Sequence, residues 1–174
     1  MRVDDKGNAM SWTNSLSAGY VKIKRLTDDV ELPKKAHIDD AGFDLRAHLP
    51  NDEFHEWGGG KVNGIKIRPG ETVMIGTGIA MSIPVGYFGG VFARSGLSTK
   101  EGLRPANCVG VVDCSYTGEV MVPLHNDSNE TRIITNGQRI AQLVILPCPA
   151  VELVEVDNLD KTTRNDGGFG SSGV

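Results

Sequence analysis

The sequence predicts an all-β domain, a sandwich or jelly roll with one short helix. Two observations carry this. Apolar residues recur with period two in several short runs, and dense turn chemistry separates those runs. Glycine occurs 22 times in 174 residues, against a usual share of ~7%.

Residues 73–83 give the clearest strand. Val73, Ile75, Thr77, Ile79, Met81 and Ile83 share one parity, and Gly76, Gly78, Ala80 and Ser82 the other. That alternation suits a strand with one buried face. Val120, Val122 and Leu124 alternate in the same way. Residues 139–146 read, after Arg139, as a near-continuous apolar run, which predicts a strand buried on both faces. Residues 151–156 are a shorter candidate, interrupted by Glu152 and Glu155. Asn63-Gly64, between Lys61-Val62 and Ile65-Lys66-Ile67, predicts a hairpin turn. Arg68-Pro69-Gly70 and Pro84-Val85-Gly86 predict further turns. The single helix is expected over residues 95–101, directly after Ala93-Arg94. No internal repeat is present. Residues 1–18 are polar and aperiodic, which predicts a disordered tail ahead of a β domain over 19–156. Residues 157–174 hold four glycines and almost no core-forming side chains, which predicts a flexible arm. Residues 50–60 read as a surface insertion.

Composition narrows the function. Hydrophobic residues make up 39% and charged residues 23%, with a net charge of −4. That describes a soluble globular chain and argues against stable binding of nucleic acid, which needs a basic surface. A small anion can still be held where a few cations are focused. Cys108, Cys114 and Cys148 are odd in number and form no CxxC, so a disulfide framework is not expected and a reducing, cytoplasmic setting is. His37, His48, His55 and His125 have no metal-ligand spacing. No apolar stretch reaches 18 residues, so no membrane span is expected. Residues 1–13 lack the apolar core of a secretory signal.

Five short motifs carry the chemistry. In Ala41-Gly42-Phe43-Asp44-Leu45, Asp44 is either a solvated acid at a strand start or an acid that reaches a metal through water. In Ala93-Arg94-Ser95-Gly96-Leu97, a forked cation, a hydroxyl and a glycine meet where a strand gives way to a helix. That set holds phosphate well, though it also reads as an N-cap serine followed by a turn glycine. The run from Asn107 to Met121 reads as a β-hairpin whose backbone can meet a flat base edge. Asp113 closes an apolar run there, where a carboxylate is costly without a task or a partner; it suits a general base for water, or the first residue of the turn. In the fourth motif, residues 136–143, Arg139 reads as a buried arginine held by a partner acid, and Gln142 as a strut or a phosphate donor. In the fifth, residues 164–173, successive glycines can cradle phosphate with Arg164 and two serines. Phe169 suits a lid that stacks on a base, and a functionless tail is the other reading.

The order and spacing of these five motifs, AGFDL, ARSGL, NxxGxxDxxYxGEV, GQRIAQL and RNDGGFGSSG, resembles the trimeric dUTPase family. The likeness runs from Ala41 to Gly173. It implies a distorted jelly roll assembled as a homotrimer, with active sites between subunits, that hydrolyses dUTP to dUMP and pyrophosphate with Mg2+. It implies roles residue by residue. Asn107, Gly110 and the backbone of Val111 and Val112 read uracil, and Met121 lines the same pocket. Tyr116 packs on the sugar, and Asp113 activates the attacking water. Arg94, Ser95, Gly96 and Gln142 bind phosphates. Asp44 acts on Mg2+ through water. Arg164, Phe169, Gly170 and Ser171 close over the nucleotide from a neighbouring subunit. Gln138 stands where the family often has an acid. Two alternatives share the fold: a dUTP-gated regulatory protein, and a dCTP deaminase. The deaminase is disfavoured because Asn107-Cys108-Val109-Gly110 replaces its histidine-threonine-alanine-glycine stretch.

Overall fold

Eleven strands and one helix make up the described residues. The computed structural model describes residues 19–49, 54–57, 59–163 and 165–166. Strands β1 (Lys22–Arg25), β5 (Thr72–Ser82), β9 (Glu119–Asn126) and β7 (Leu103–Pro105) form one sheet, in that order. Strands β2 (Phe43–Arg46), β11 (Arg139–Pro147), β6 (Tyr87–Phe92) and β8 (Val109–Val112) form a second. A third holds β10 (Arg132–Thr135), β4 (Gly60–Ile67) and β3 (Phe54–Trp57). All named pairs are antiparallel. The sheets wrap one core, with Leu45, Ile67, Ile75, Leu103, Leu124, Ile134 and Ile140 fully buried. Each such side chain contributes roughly 1.5–3 kcal/mol. This is the expected all-β jelly-roll class.

β5 follows its parity as read as far as Thr77; beyond it Gly78 and Ala80, of the other parity, are buried as well. Ile75, Thr77, Ile79, Met81 and Ile83 are buried, and Met74 and Ser82 are exposed. The ladder with β9 is nevertheless broken. Gly76 pairs with Met121 and Ala80 with Glu119, so residues 77–79 stand opposite Val120 alone. Gly78 takes φ +65° inside this bulge, and a Cβ there would lie 2.4 Å from Val30 Cγ2. No residue with a side chain fits. The bulge also gathers two other segments: Leu26 N–H donates to the Gly78 carbonyl at 2.8 Å, and His48 N–H to that of Gly76 at 2.9 Å.

Several expectations are corrected. Asn63-Gly64 is no turn; β4 runs straight through it, and the chain reverses between Trp57 and Gly60 instead. Gly64 serves close approach, since a Cβ there would lie 2.5 Å from the Ile134 carbonyl oxygen of β10. The expected surface insertion is not overturned; part of it, residues 54–57, forms the edge strand β3 paired with β4. Residues 151–156 form no strand and pair with none of the described residues, and Val151, Leu153, Val154 and Val156 are exposed. β11 is central in its sheet, but Val144, Ile145 and Leu146 are only half-buried, so its second face is less covered than the apolar run suggested. Both Pro-containing turns form where expected, closed by Glu71 N–H to Arg68 O at 3.0 Å and Tyr87 N–H to Pro84 O at 3.2 Å. Residues 1–18 lie outside the described residues, as does half of the expected arm, residues 164 and 167–174; residues 157–163 are exposed and irregular.

Asn126 locks the end of β9. It is fully buried, and its amide donates to Ile67 O at 2.9 Å and Glu130 O at 2.8 Å. Its Oδ1 accepts from Ser128 N–H and Oγ–H. Asn126→Ala takes the amide donor from the buried Ile67 carbonyl and leaves a cavity in the core, and is expected to lose about 2–4 kcal/mol in urea unfolding. On the surface, the Glu31 carboxyl is held below its ordinary value by a hydrogen bond from Lys34 and by the charges of Arg46 and Lys34. Its stabilising effect is therefore complete above the unfolded value near 4.5 and is lost as pH falls through the lower folded value. The Tm gap between the unmutated chain and Glu31→Gln is expected to close as melts move to more acid pH.

Candidate functional site

Two side-chain groups converge, at different places in the fold. The first surrounds a pocket of about 420 Å³, a size suited to a small organic ligand. Asn107, Val111, Val112, Asp113, Tyr116 and Met121 all line it. Gly110 lies behind the wall, where a Cβ would sit 3.4 Å from Asn107 Nδ2. The third motif builds this pocket, though not as a hairpin. Its two apolar runs become β8 and β9, which belong to different sheets. β8 pairs with β6, from Gly89↔Val112 to Phe92↔Val109, and β9 pairs with β5 and β7. The segment is an arch between sheets, and the pocket lies along it.

β8 is the edge strand of its sheet. One side of its backbone therefore has no strand partner among the described residues and presents alternate N–H and C=O groups outward. Cys108 takes φ +61°, and Val109 N–H donates to Asn107 O at 2.6 Å. This tight reversal turns Asn107 back toward the strand it precedes. Asp113 leaves β8 exposed, so the cost of burial expected for it does not arise. Its carbonyl accepts from Tyr116 N–H at 3.0 Å, closing the turn. Tyr116 donates its hydroxyl to Glu119 O at 2.8 Å.

Sequence reading missed Met74, Glu119, Val120 and Pro123 in this pocket. Met74 pairs with Pro123, and Gly76 with Met121. The exposed parity of β5 thus extends the pocket wall, a juxtaposition only the cross-strand register reveals.

The second group is electrostatic. Asp44 accepts from Arg94 Nε at 2.7 Å on one oxygen and from Arg139 Nη1 at 3.0 Å on the other. Two cations share one anion, so net positive charge remains beside Ser95 and Gly96. Arg139 has the expected acid partner but is not buried, with 43% of its side chain exposed. Gln142 pairs with both Asp44 and Phe92 across the sheet, and its Nε2–H donates to Ala93 O at 2.9 Å. α1 (Ser95–Glu101) starts as expected. Arg94, not Ser95, occupies the N-cap position, without a side-chain cap bond. Ser95 and Gly96 are exposed, and nothing lies within 4 Å of a Cβ at Gly96. Gln138, where an acid was more usual, accepts Thr135 N–H on Oε1 at 3.0 Å. An amide oxygen meets that need as a carboxylate would.

Phe92 pairs with Val109 and Gly89 with Val112. Arg94 and Asp113 therefore leave the β6–β8 ladder at opposite ends. Arg164, Phe169, Gly170 and Ser171 lie outside the described residues.

The family model for dUTPase matches residues 62–173, well over half of the chain. The chain belongs to the dUTPase family. The first motif precedes that match, but curated relatives align over more of the sequence. The deoxyuridine 5'-triphosphate nucleotidohydrolase of Finegoldia magna is 44% identical across 82% of this chain and 91% of its own length. That of Caulobacter vibrioides is 43% identical across 92% of this chain and 99% of its own. Among solved structures, the dUTPase of Staphylococcus bacteriophage 80alpha with dUPNHPP superposes with a TM-score of 0.70 at 28% identity, covering 93% of this chain and 100% of that one. That phage protein is described as controlling transfer of virulence genes by a G protein-like mechanism.

The dUTPase frame leaves a stability test at the first motif. A Cβ on Gly42 would lie 2.6 Å from Gln142 Oε1. Gly42→Ala fits only if Gln142 swings away and gives up Ala93 O. The expected loss is about 1 kcal/mol in urea unfolding, and Gly96→Ala, with open space around it, serves as the control.

Proposed function

We propose that the chain hydrolyses dUTP to dUMP and pyrophosphate as a homotrimer. One observation carries the reading: Asn107, Asp113, Tyr116 and the free edge of β8 surround a single pocket. A planar uracil presents alternating donors and acceptors, which an unpaired strand edge complements as another strand would. Asn107 adds side-chain polarity, and Met121 an apolar wall. Tyr116 stands at the deoxyribose, where a ribose 2′-hydroxyl would meet its ring. Asp113, exposed at the pocket rim, takes a proton from water as the water oxygen bonds to the α-phosphorus. The bond from the α-phosphorus to the bridging oxygen breaks, and pyrophosphate leaves.

Arg94, Ser95, Gly96 and Gln142 hold the phosphates. The Asp44 bridge keeps the Arg94 fork aimed, and the residual positive charge attracts the polyanion. Arg94 and Asp113 of one chain leave the β6–β8 ladder at opposite ends, about 20 Å apart at strand rise. A second copy that brings its cations to this Asp113 completes the site, which supports a trimer with shared active sites. Exposed Val151, Leu153, Val154 and Val156 supply apolar surface for such assembly. In the same arrangement Phe169 covers the uracil, while Arg164, Gly170 and Ser171 enclose the β- and γ-phosphates.

Among the described residues no three His, Cys, Asp or Glu side chains gather to hold a metal. Asp44, a lone carboxylate beside Arg94, suits Mg2+ that is carried by the triphosphate itself and reached through water. Bound there, Mg2+ would offset charge on the departing pyrophosphate. The three cysteines are free, and no helix of the described residues is long and apolar enough to cross a membrane. Free thiols suit a reducing cytoplasm.

The test is pyrophosphate release with Mg2+ from dUTP, UTP, dCTP and dTTP side by side. Release from dUTP alone is expected; release of ammonia from dCTP, or of pyrophosphate from none, overturns the reading. Asp113→Asn keeps the shape of the pocket and removes the base. It is expected to lower kcat by about 10²–10⁴-fold while leaving dUTP affinity within a few-fold by calorimetry.

A further inference from the structure

Tyr116 is loosely held for a residue that must reject one oxygen atom. It is 46% exposed. Its hydroxyl is anchored at one point, the Glu119 carbonyl, 2.8 Å away. Gly118 passes directly against the ring, since a Cβ there would lie 2.6 Å from the hydroxyl oxygen. The ring therefore goes where residue 119 goes.

Residue 119 is in turn held from β5. The backbone pair Ala80↔Glu119 is cut off from the rest of the ladder by the bulge. Two side-chain bonds span the gap. Glu119 Oε1 accepts Gly78 N–H at 2.8 Å, and Thr77 Oγ–H donates to Val120 O at 2.6 Å. The carboxylate packs so closely that a Cβ on Gly76 would lie 2.6 Å from Oε1. Glu119 also lines the pocket with Tyr116.

We propose that Glu119 is a positioning residue for sugar discrimination. Its carboxylate hooks the start of β9 to the β5 bulge, which holds the 113–119 turn and thereby the Tyr116 ring against the 2′ side of the sugar. The inference rests on the dUTP reading above. Loss of the hook orphans Gly78 N–H and leaves the start of β9 attached only by the isolated backbone pair and the Thr77–Val120 bond. A ring free to withdraw by about an ångström admits a hydroxyl, and positional errors of that size carry large kinetic effects.

The experiment measures kcat/KM for pyrophosphate release from dUTP and from UTP with the full-length chain and three variants. Glu119→Ala removes the acceptor. Glu119→Gln keeps an oxygen acceptor for Gly78 N–H and removes only the charge. Tyr116→Phe removes only the hydroxyl that ties the ring to residue 119. The dUTP-to-UTP ratio is expected to fall about tenfold or more in Glu119→Ala and in Tyr116→Phe, and to stay within about twofold in Glu119→Gln. An unchanged ratio in Glu119→Ala overturns the inference. An equal loss in Glu119→Gln also overturns it, because charge and not the hydrogen bond would then matter. Should Glu119→Ala fail to fold, Tyr116→Phe decides, and an unchanged ratio there overturns the inference. No release from dUTP by the unmutated chain overturns the dUTP reading, and this inference with it. An unmutated chain that discriminates, beside a Glu119→Ala that discriminates equally, overturns the inference alone.

Discussion

Three residues of β5 stand opposite one residue of β9, and much of the molecule is arranged around that mismatch. A bulge of this kind bends the strand and frees backbone groups from the ladder. Here every freed group at Gly76 and Gly78 that the hydrogen-bond network reaches is put to use. Gly76 and Gly78 carbonyls receive His48 and Leu26, which attaches the segments after β2 and β1. Gly78 N–H donates to the Glu119 carboxylate, which attaches the start of β9. The left-handed backbone at Gly78, pressed against Val30, admits no other residue. A side chain there would add about 1–3 kcal/mol of backbone strain to the steric clash.

The phosphate-side cluster solves a different problem. Two arginines close together repel unless an anion sits between them. Asp44 supplies that anion and uses separate oxygens for each guanidinium. It is largely sheltered, with 18% of its side chain exposed, so the bridge is screened less than an ion pair on the open surface. The residual charge is positive and the fork geometry is set before a phosphate arrives. Gln142 and Gly42 brace the same corner, because β2, β11 and β6 are neighbours in one sheet.

How much was legible varies with the range of the interactions. β5, β9 and α1 were readable because parity and local turn chemistry are properties of the chain itself. Asn63-Gly64 misled because its turn-forming dipeptide is used instead for close approach to β10, a contact 70 residues along the chain. Residues 151–156 misled because a short apolar run makes a strand only where it pairs with another, and this one stays exposed and unpaired among the described residues. The third motif was legible in its residues and not in its form. Two apolar runs about a turn suggest a hairpin, yet β6 and β5 claim the two arms for separate sheets. Met74 and Glu119 escaped notice because nothing local sets a solvated methionine or a strand-initiating acid apart from one that lines a pocket.

The sequence by itself determined the all-β class, the position of the helix and the family, because each rests on short-range order: residue type, parity and motif spacing. It also named the chemical groups, since an acid, a forked cation and a glycine-rich segment announce their chemistry wherever they are placed. Only the tertiary structure decided which of those groups meet. It put Asp44 between Arg94 and Arg139, opened a pocket along an arch where a hairpin was expected, and separated Arg94 from Asp113 along the β6–β8 ladder. Those outcomes depend on which strands become neighbours and in what register. A one-residue change of register would turn the same side chains to the other face, and no local pattern encodes that choice.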